Sequence, residues 1–539
     1  RTITVGATAS ELGLPAGRWG VYGAVITLRT ADGPIAVDAV PITWQGAPVP
    51  QLRLSVLSNA SGTATQVSTL LQAANVAGVA SAVDPALVNN ALAFDSGLVA
   101  REAWRLASGS PDLTSLARAG ETSLMDLALS LPAGTNLANV GRAPWLAVPA
   151  AIDATSVSAA TDLGAAATLA QPGAAGFEEL VDQADAALAQ VGDSLLLVPD
   201  ERLSATVMRY RPGTEAAKAR ALAESALAAA DADGAPVLVA LDDSWRPGSA
   251  TPDAVLETLM AAPWVEAVPV SALLATEPTS VSLEQSLDVG FDMPADAVGS
   301  LAAELARLTE LAAATTDEDA ALADWGADLL RAANVALRDD PGVRSAALSA
   351  ALATSGTTLS SLRIAESSDL NLLAESGEIP VTVMNALDHD VTVRVDLTSF
   401  SPNLQVLASP TVTVAAGEAL AALVPVEAVS SANVRVAVSL RSPTGQEVSD
   451  QQTFAVRVRA DWGNAATAVF TVLLVLLLAA GLIRTARRGR MDTRAEPAPA
   501  PATAPSRETE NVELDEAPRD DDEPTQSTEP DPHPGTGRD

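Results

Sequence analysis

The sequence predicts a multidomain chain, α/β followed by all-β, with a (β/α) barrel-like domain, a helical segment, an immunoglobulin-like β-sandwich and one transmembrane helix. Three observations predict it. Short apolar runs alternate with helical stretches between residues 51 and 275. Apolar and polar residues alternate between 361 and 459. A run of 19 uncharged residues spans Ala465–Ile483.

The barrel expectation rests on recurrence. Apolar runs fall at Leu52–Leu57, Val79–Val83, Asp126–Leu131, Trp145–Val148, Ala166–Leu169, Ser194–Val198, Pro236–Leu241 and Val265–Val270. Most end on Pro or Asp, and stretches with helical spacing lie between them, at 64–77, 177–190, 214–230 and 252–261. Strand–helix alternation implies parallel pairing. Eight units in about 225 residues match the size of a closed β/α barrel, with an open doubly wound sheet as the alternative.

Before the barrel, residues 1–48 hold two strand-like runs, Val21–Arg29 and Ile35–Trp44, around an Asp32-Gly33 turn. They predict a hairpin, read as the remnant of an N-terminal β-domain because one hairpin is marginal alone. After the barrel, residues 295–360 predict a helical segment broken at Asp340-Pro341-Gly342. Six alternating runs in 361–459 predict the sandwich. Within it, 379–395 reads as an antiparallel pair joined by an Asn/Asp turn.

At ~1.5 Å per residue the 465–483 run gives ~28 Å of helix, enough to cross a bilayer. Trp462 precedes it, and Arg484, Arg487, Arg488 and Arg490 follow at once. The positive-inside rule puts that end in the cytoplasm, and therefore the N-terminal part outside, at the cell membrane. Residues 491–539 are Pro-, Ala- and acid-rich with few large apolar side chains, and predict a disordered acidic cytoplasmic tail. The chain opens on Arg1-Thr2-Ile3 without a signal-peptide pattern, which reads as a removed signal or a truncated N-terminus.

Composition narrows the chemistry. The net charge is −35, with one lysine, Lys218, among 32 basic residues. No basic face is visible to neutralise phosphates, so nucleic acid is not an expected partner. There is no cysteine, which removes disulfides, thiolate zinc sites and cysteine nucleophiles. The two histidines, His389 and His533, both lie outside the barrel, so neither a His-ligated metal nor a Ser-His-Asp triad is expected there. No phosphate-binding glycine loop occurs, and no cofactor is expected.

In a barrel the working groups sit at the C-terminal strand ends. The acids there are Asp84, Asp200, Asp242 and Asp243. Asp200 and Asp242 are the candidates for a glycosidase pair, although strand-end aspartates more often cap the following helix. Trp145, Trp245 and Trp264 are candidates for stacking on sugar rings, set against simple core filling. Arg246 is placed to pair with a nearby Asp or to bind a carboxylate ligand.

Several phrases together resemble a known family: APWLAVPA (143–150), DSLLLVPDERLS (193–204), DDSWRPG (242–248), APWVEAVPVSALL (262–274), GEIPVTVMNALDHDVTVRV (377–395) and VRVRADWGNAATAVF with GLIRTARRGR after it. The chain resembles the uncharacterised membrane-anchored secreted proteins of high-GC Gram-positive bacteria, classed as a domain of unknown function and often encoded beside a MurJ-type lipid II flippase. The resemblance implies a third strand ending in a Pro-Tyr-x-Asp-x-Asp type motif. Here the stretch taken as that end, Leu131-Pro132-Ala133-Gly134-Thr135-Asn136, has no carboxylate. The leading expectation is a non-catalytic envelope protein that binds a cell-wall glycan or a wall-synthesis membrane protein. The alternatives are a glycan-active hydrolase using barrel carboxylates and a structural spacer.

Overall fold

The computed structural model describes residues 6–30, 33–61, 64–131, 138–208, 215–242, 254–288, 290–366, 370–372, 374–458 and 463–488. The chain forms two compact units, 1–461 and 462–539.

In the first unit β1 (Trp19–Thr30) and β2 (Gly33–Gln45) form the expected antiparallel hairpin, with a bulge at Leu28/Arg29. It lies against the helix Glu215–Asp231, and Trp19 and Val21 pack on the core beneath.

Two curled sheets follow. The first contains β3 (Leu52–Ala60), β4 (Val79–Val83), β5 (Ala103–Arg105), β10 (Pro236–Leu241) and β11 (Val265–Ala267). The second contains β6 (Leu146–Ala147), β7 (Ala167–Leu169), β8 (Leu188–Val191), β9 (Ser194–Leu197) and β12 (Thr279–Ser280). Every ladder among these strands is parallel except the β8–β9 hairpin. Arg105 makes a parallel bridge to Trp145, and the Asp200 N–H, just beyond β9, donates to the Leu238 carbonyl at 2.8 Å, so the sheets touch at two points. Leu57, Trp104, Leu146, Leu169, Leu197 and Leu238, drawn from both sheets, share one buried cluster. Leu54, Val56, Val83 and Val239 point the other way, into a cluster under the helices. This alternation follows from the two-residue period of a strand buried on both faces.

Three expectations for this region are corrected. Asp126–Leu131 is not a strand: Ser123–Ser130 is a helix, burying Leu124, Met125, Leu127 and Ala128. The third parallel strand is β5, so Leu131–Asn136 does not follow that strand, and residues 132–137 lie outside the described residues. The helix expected over 177–190 stops at Val181, and Leu188–Val191 is β8, held by its hairpin to β9. The run Val265–Val270 ends as a strand at Ala267, and Pro269 precedes a short helix, Val270–Leu273.

Residues 295–361 are helical as expected, in Ala295–Ala312, Glu318–Ala332 and Pro341–Ser361. The Asp340-Pro341 break is a helix start. The Asp340 carboxylate accepts from the Gly342 and Val343 N–H groups at 3.0 Å, and proline occupies a first-turn position where its missing N–H costs nothing.

The all-β region holds β13 (Leu362–Ile364), β14 (Leu370–Leu372), β15 (Ser376–Asn385), β16 (Val391–Ser399), β17 (Leu404–Val406), β18 (Thr411–Val414), β19 (Ala419–Ala428), β20 (Ala432–Arg441) and β21 (Gln452–Val458). They form sheets ordered β13-β15-β19-β17 and β14-β21-β20-β16-β18, whose inner faces share one core. The pairing expected within 379–395 is corrected: β15 and β16 lie in different sheets. Asn385 sits at the crossover. Its Nδ2 donates to the carbonyls of His389, Val414 and Ala415, and its Oδ1 accepts from Leu387 N–H, where the chain climbs between sheets instead of turning back. His389 meets Trp325 of the helical segment edge-on, with ring centroids 5.6 Å apart.

In the second unit, Gly463–Arg488 is one helix. Its stretch Thr467–Thr485 has a mean hydropathy of 2.3 and buries none of its side chains, and it is long and apolar enough to cross a membrane. Arg484 is exposed at its end, the side chains of Arg487 and Arg488 lie outside the described residues, and so do Arg490, Trp462 and the tail 491–539.

Candidate functional site

Strand alternation carries the buried faces of the two sheets into a polar layer at their C-terminal ends. Leu57 precedes Asn59 on one face of β3, and Ala80 and Ala82 precede Asp84 beyond β4. Leu169 precedes Gln171, and Leu238 and Ala240 precede Asp242. Above this layer opens a cleft of about 570 Å³. Its walls come from the ends of β3, β5, β6 and β7, including Asn59, Trp145, Val148 and Gln171, and its roof from Ser110, Asn334, Ala336 and Asp339.

The roof is fixed by buried ion pairs. Asp112 caps the helix Leu113–Ala119 through the Ser115 N–H (3.2 Å), and its second oxygen accepts from the Ser115 hydroxyl and from Arg338 Nη1, both at 2.6 Å. Arg338 also binds Asp292, which binds Arg118, and Arg118 donates to Asp153 at 2.6 Å. Asp153 caps the helix Ala154–Asp162. Burial pushes its carboxyl up, but hydrogen bonds from the Ser156 N–H, Arg118 and the Leu287 N–H outweigh this and hold it below the usual range. The network ties the turn at Val335–Leu337 and the 284–293 connector to the strand-end loops. Asn334 completes the tie, donating to the Gly109 carbonyl at 2.7 Å.

Asp84 is fully buried below the cleft. Its oxygens accept from the Ala86 N–H (2.8 Å) and the Gly109 N–H (2.7 Å), clamping two strand-end loops. Burial raises its carboxyl to about 6, against the lowering effect of those bonds and of Arg105.

Asp200 and Asp242 do not sit side by side along the strands. Asp200 hydrogen-bonds at the level of Leu238, whereas Asp242 lies four residues further on, an offset of roughly 10–13 Å at about 3.3 Å per residue. The Asp200 carboxylate caps its own helix, accepting from the Leu203 N–H at 2.7 Å, and borders a separate depression of about 290 Å³. Asp242 is buried and engaged in an interaction of its own. Trp145 edges the cleft, 8% exposed. Trp264 is a core residue under the helices, its Nε1 donating to the Ser225 hydroxyl at 3.1 Å. Asp243, Trp245 and Arg246 lie outside the described residues. The sequence reading missed Asn59, Gln171 and Arg338. It searched strand ends for carboxylates, and the first two are amides placed there by the same alternation.

Similarity to solved structures is local. Residues covering 16% of the chain match 15% of native alpha-2-macroglobulin from Escherichia coli, spanning domain MG7 to the C-terminus, at 19% identity and a TM-score of 0.14. Another 14% identical match covers 19% of this chain and 98% of WR4, a C. elegans MSP family member, again at a TM-score of 0.14. Likeness at this level carries no argument about fold or function. No curated protein matches the chain. A family model, by contrast, matches residues 57–507, from β3 through the apolar helix, and the chain therefore belongs to DUF6049, a family of unknown function.

Proposed function

We propose that this is a single-pass envelope protein of the cell membrane whose outer part binds a cell-wall glycan or a wall-assembly protein without catalysis. The observation that carries the reading is the cleft itself. It is of small-ligand size, ~300–1,000 Å³ being typical, and it lies at polar strand ends. Its one carboxylate among the described residues is Asp339, so among them no pair of carboxylates lines it. On this reading the two curled sheets close as a β/α barrel, supported by the parallel bridge at one junction and the backbone hydrogen bond at the other. The two later sheets form an immunoglobulin-like sandwich, supported by their shared core. The high-GC Gram-positive setting and the lipid II flippase neighbour, implied by the resemblance, give the proposed partner class.

Topology follows from the apolar helix and the arginines after it. Protease added to wall-stripped cells should remove the outer domains and spare a tail epitope; a protected outer part with an accessible tail would reverse the orientation.

Catalysis is tested by complementation. Asp200→Asn and Asp242→Asn should each restore wall function in a deletion strain as the unaltered chain does, because Asp200 caps a helix and the strand ends are offset. If either variant folds, reaches the membrane and yet fails to complement, a hydrolase using these carboxylates replaces the binding reading.

A further inference from the structure

Asn59 is 2% exposed, lines the cleft, and its Nδ2 donates to Gln171 Oε1 at 3.0 Å. Its Oδ1 is buried without a partner. Such an atom forfeits its hydration on folding, at a cost of about 1–3 kcal/mol, unless something else reaches it. An amide bonded to an amide always leaves one acceptor and one donor over. If both side chains were rotated by 180°, Asn59 would offer the donor and Gln171 the acceptor, so the pattern does not depend on which way the amides are assigned. A spare acceptor and a spare donor on two bonded side chains can serve two hydroxyls, each of which can give or take a proton.

Charge selects further. Among the described residues Arg338 is the cation that lines the cleft, and its guanidinium is engaged by Asp112 and Asp292. Asp339 on the exposed rim repels anions. An anionic ligand would thus lose its hydration without gaining a free counter-charge. Trp145, Val148 and Pro149 add the apolar wall that the C–H faces of a sugar ring require.

We infer that the Asn59–Gln171 amide pair reads the vicinal hydroxyls of a neutral saccharide unit in this cleft. The inference rests on the binding reading above and names its ligand class. The test uses the full chain in detergent with fluorescently labelled neutral hexose oligosaccharides, before and after periodate, which cleaves vicinal diols. At least one series should bind. Gln171→Met, at a half-buried position and with folding verified by thermal unfolding, should weaken it by about tenfold, the loss of one well-made hydrogen bond. Asn59→Leu should weaken it as much, and periodate treatment should abolish it. Binding unchanged by Gln171→Met, binding unchanged by periodate, or no binding of any series overturns the inference. Ala336→Trp, which fills the cleft from its exposed roof, separates the two levels. If it blocks capture of wall material while no oligosaccharide binds, the saccharide inference falls and the binding cleft stands. If it blocks neither, both fall.

Discussion

Replacing Arg338 with methionine should destabilise the first unit by about 3–5 kcal/mol, the usual cost of removing one partner from a buried ion pair. The Arg338 side chain is 10% exposed and that of Asp112 1%. Without the guanidinium, the Asp112 carboxylate keeps hydrogen bonds from the Ser115 N–H and hydroxyl and the charge of nearby Arg344, in a site with almost no water. The loss is not confined to one pair, because Arg338 also holds Asp292 and the Gly290 carbonyl, and through them the connector between the α/β and helical regions. Adding Asp112→Asn to the methionine variant should recover part of the stability by removing the stranded charge. Denaturant unfolding of the detergent-solubilised chain measures both. A loss under about 1 kcal/mol would mean that the network is solvated and does not fix the cleft roof.

Asp84→Asn should change how stability depends on pH. The folded-state carboxyl titrates at about 6 because burial opposes its charge, against 3.8 for the free group. A group raised in this way contributes its stability fully below the unfolded value and loses it as pH rises through the folded one. The shift of about two units corresponds to ~3 kcal/mol. Asparagine does not titrate. From pH 4 to pH 7 the stability difference should therefore move in favour of the asparagine variant by up to ~3 kcal/mol. Asp153, whose carboxyl is held low, contributes the opposite slope in both proteins and cancels in the comparison. A difference that stays flat across this range would place Asp84 in contact with water.

The legible parts of the fold were those where pattern and pairing agree. Runs such as Pro236–Leu241 and Thr411–Val414 are strands over those same residues, since each is bounded by turn residues and long enough for its period to declare itself. What failed was short or decided by distant contacts. β5 is three residues, too short for its period to show, and it pairs with β4 in a parallel ladder. Asp126–Leu131 is apolar enough for a strand, but up to Ser130 it falls within the helix Ser123–Ser130, whose buried positions at 124, 125, 127 and 128 are one face. The hairpin expected across Asn385 fails because β15 pairs with β13 and β19 and β16 with β18 and β20, distant partners that no local pattern announces, while the Asn385 side chain binds carbonyls at the crossover.

The candidate site was legible only in outline. Strand-end position pointed to the right layer, and Trp145 was found there. Asn59 and Gln171 carry no signal on their own, because an amide at a strand end resembles any loop residue until the alternation of Leu57 and Leu169 shows which way it faces. Arg338 is 226 residues from Asp112 in sequence, and no local pattern announces such a pair.

The central claim is that the cleft beneath the Asn334–Asp339 turn is the binding surface. Affinity capture from native membranes with the full chain and with Ala336→Trp, compared by wall-glycan and protein content, tests it most directly. The account predicts that the unaltered chain retains wall glycan or a wall-synthesis membrane protein, and that the tryptophan variant, folded and membrane-inserted, loses it. Equal capture by the two would contradict the claim.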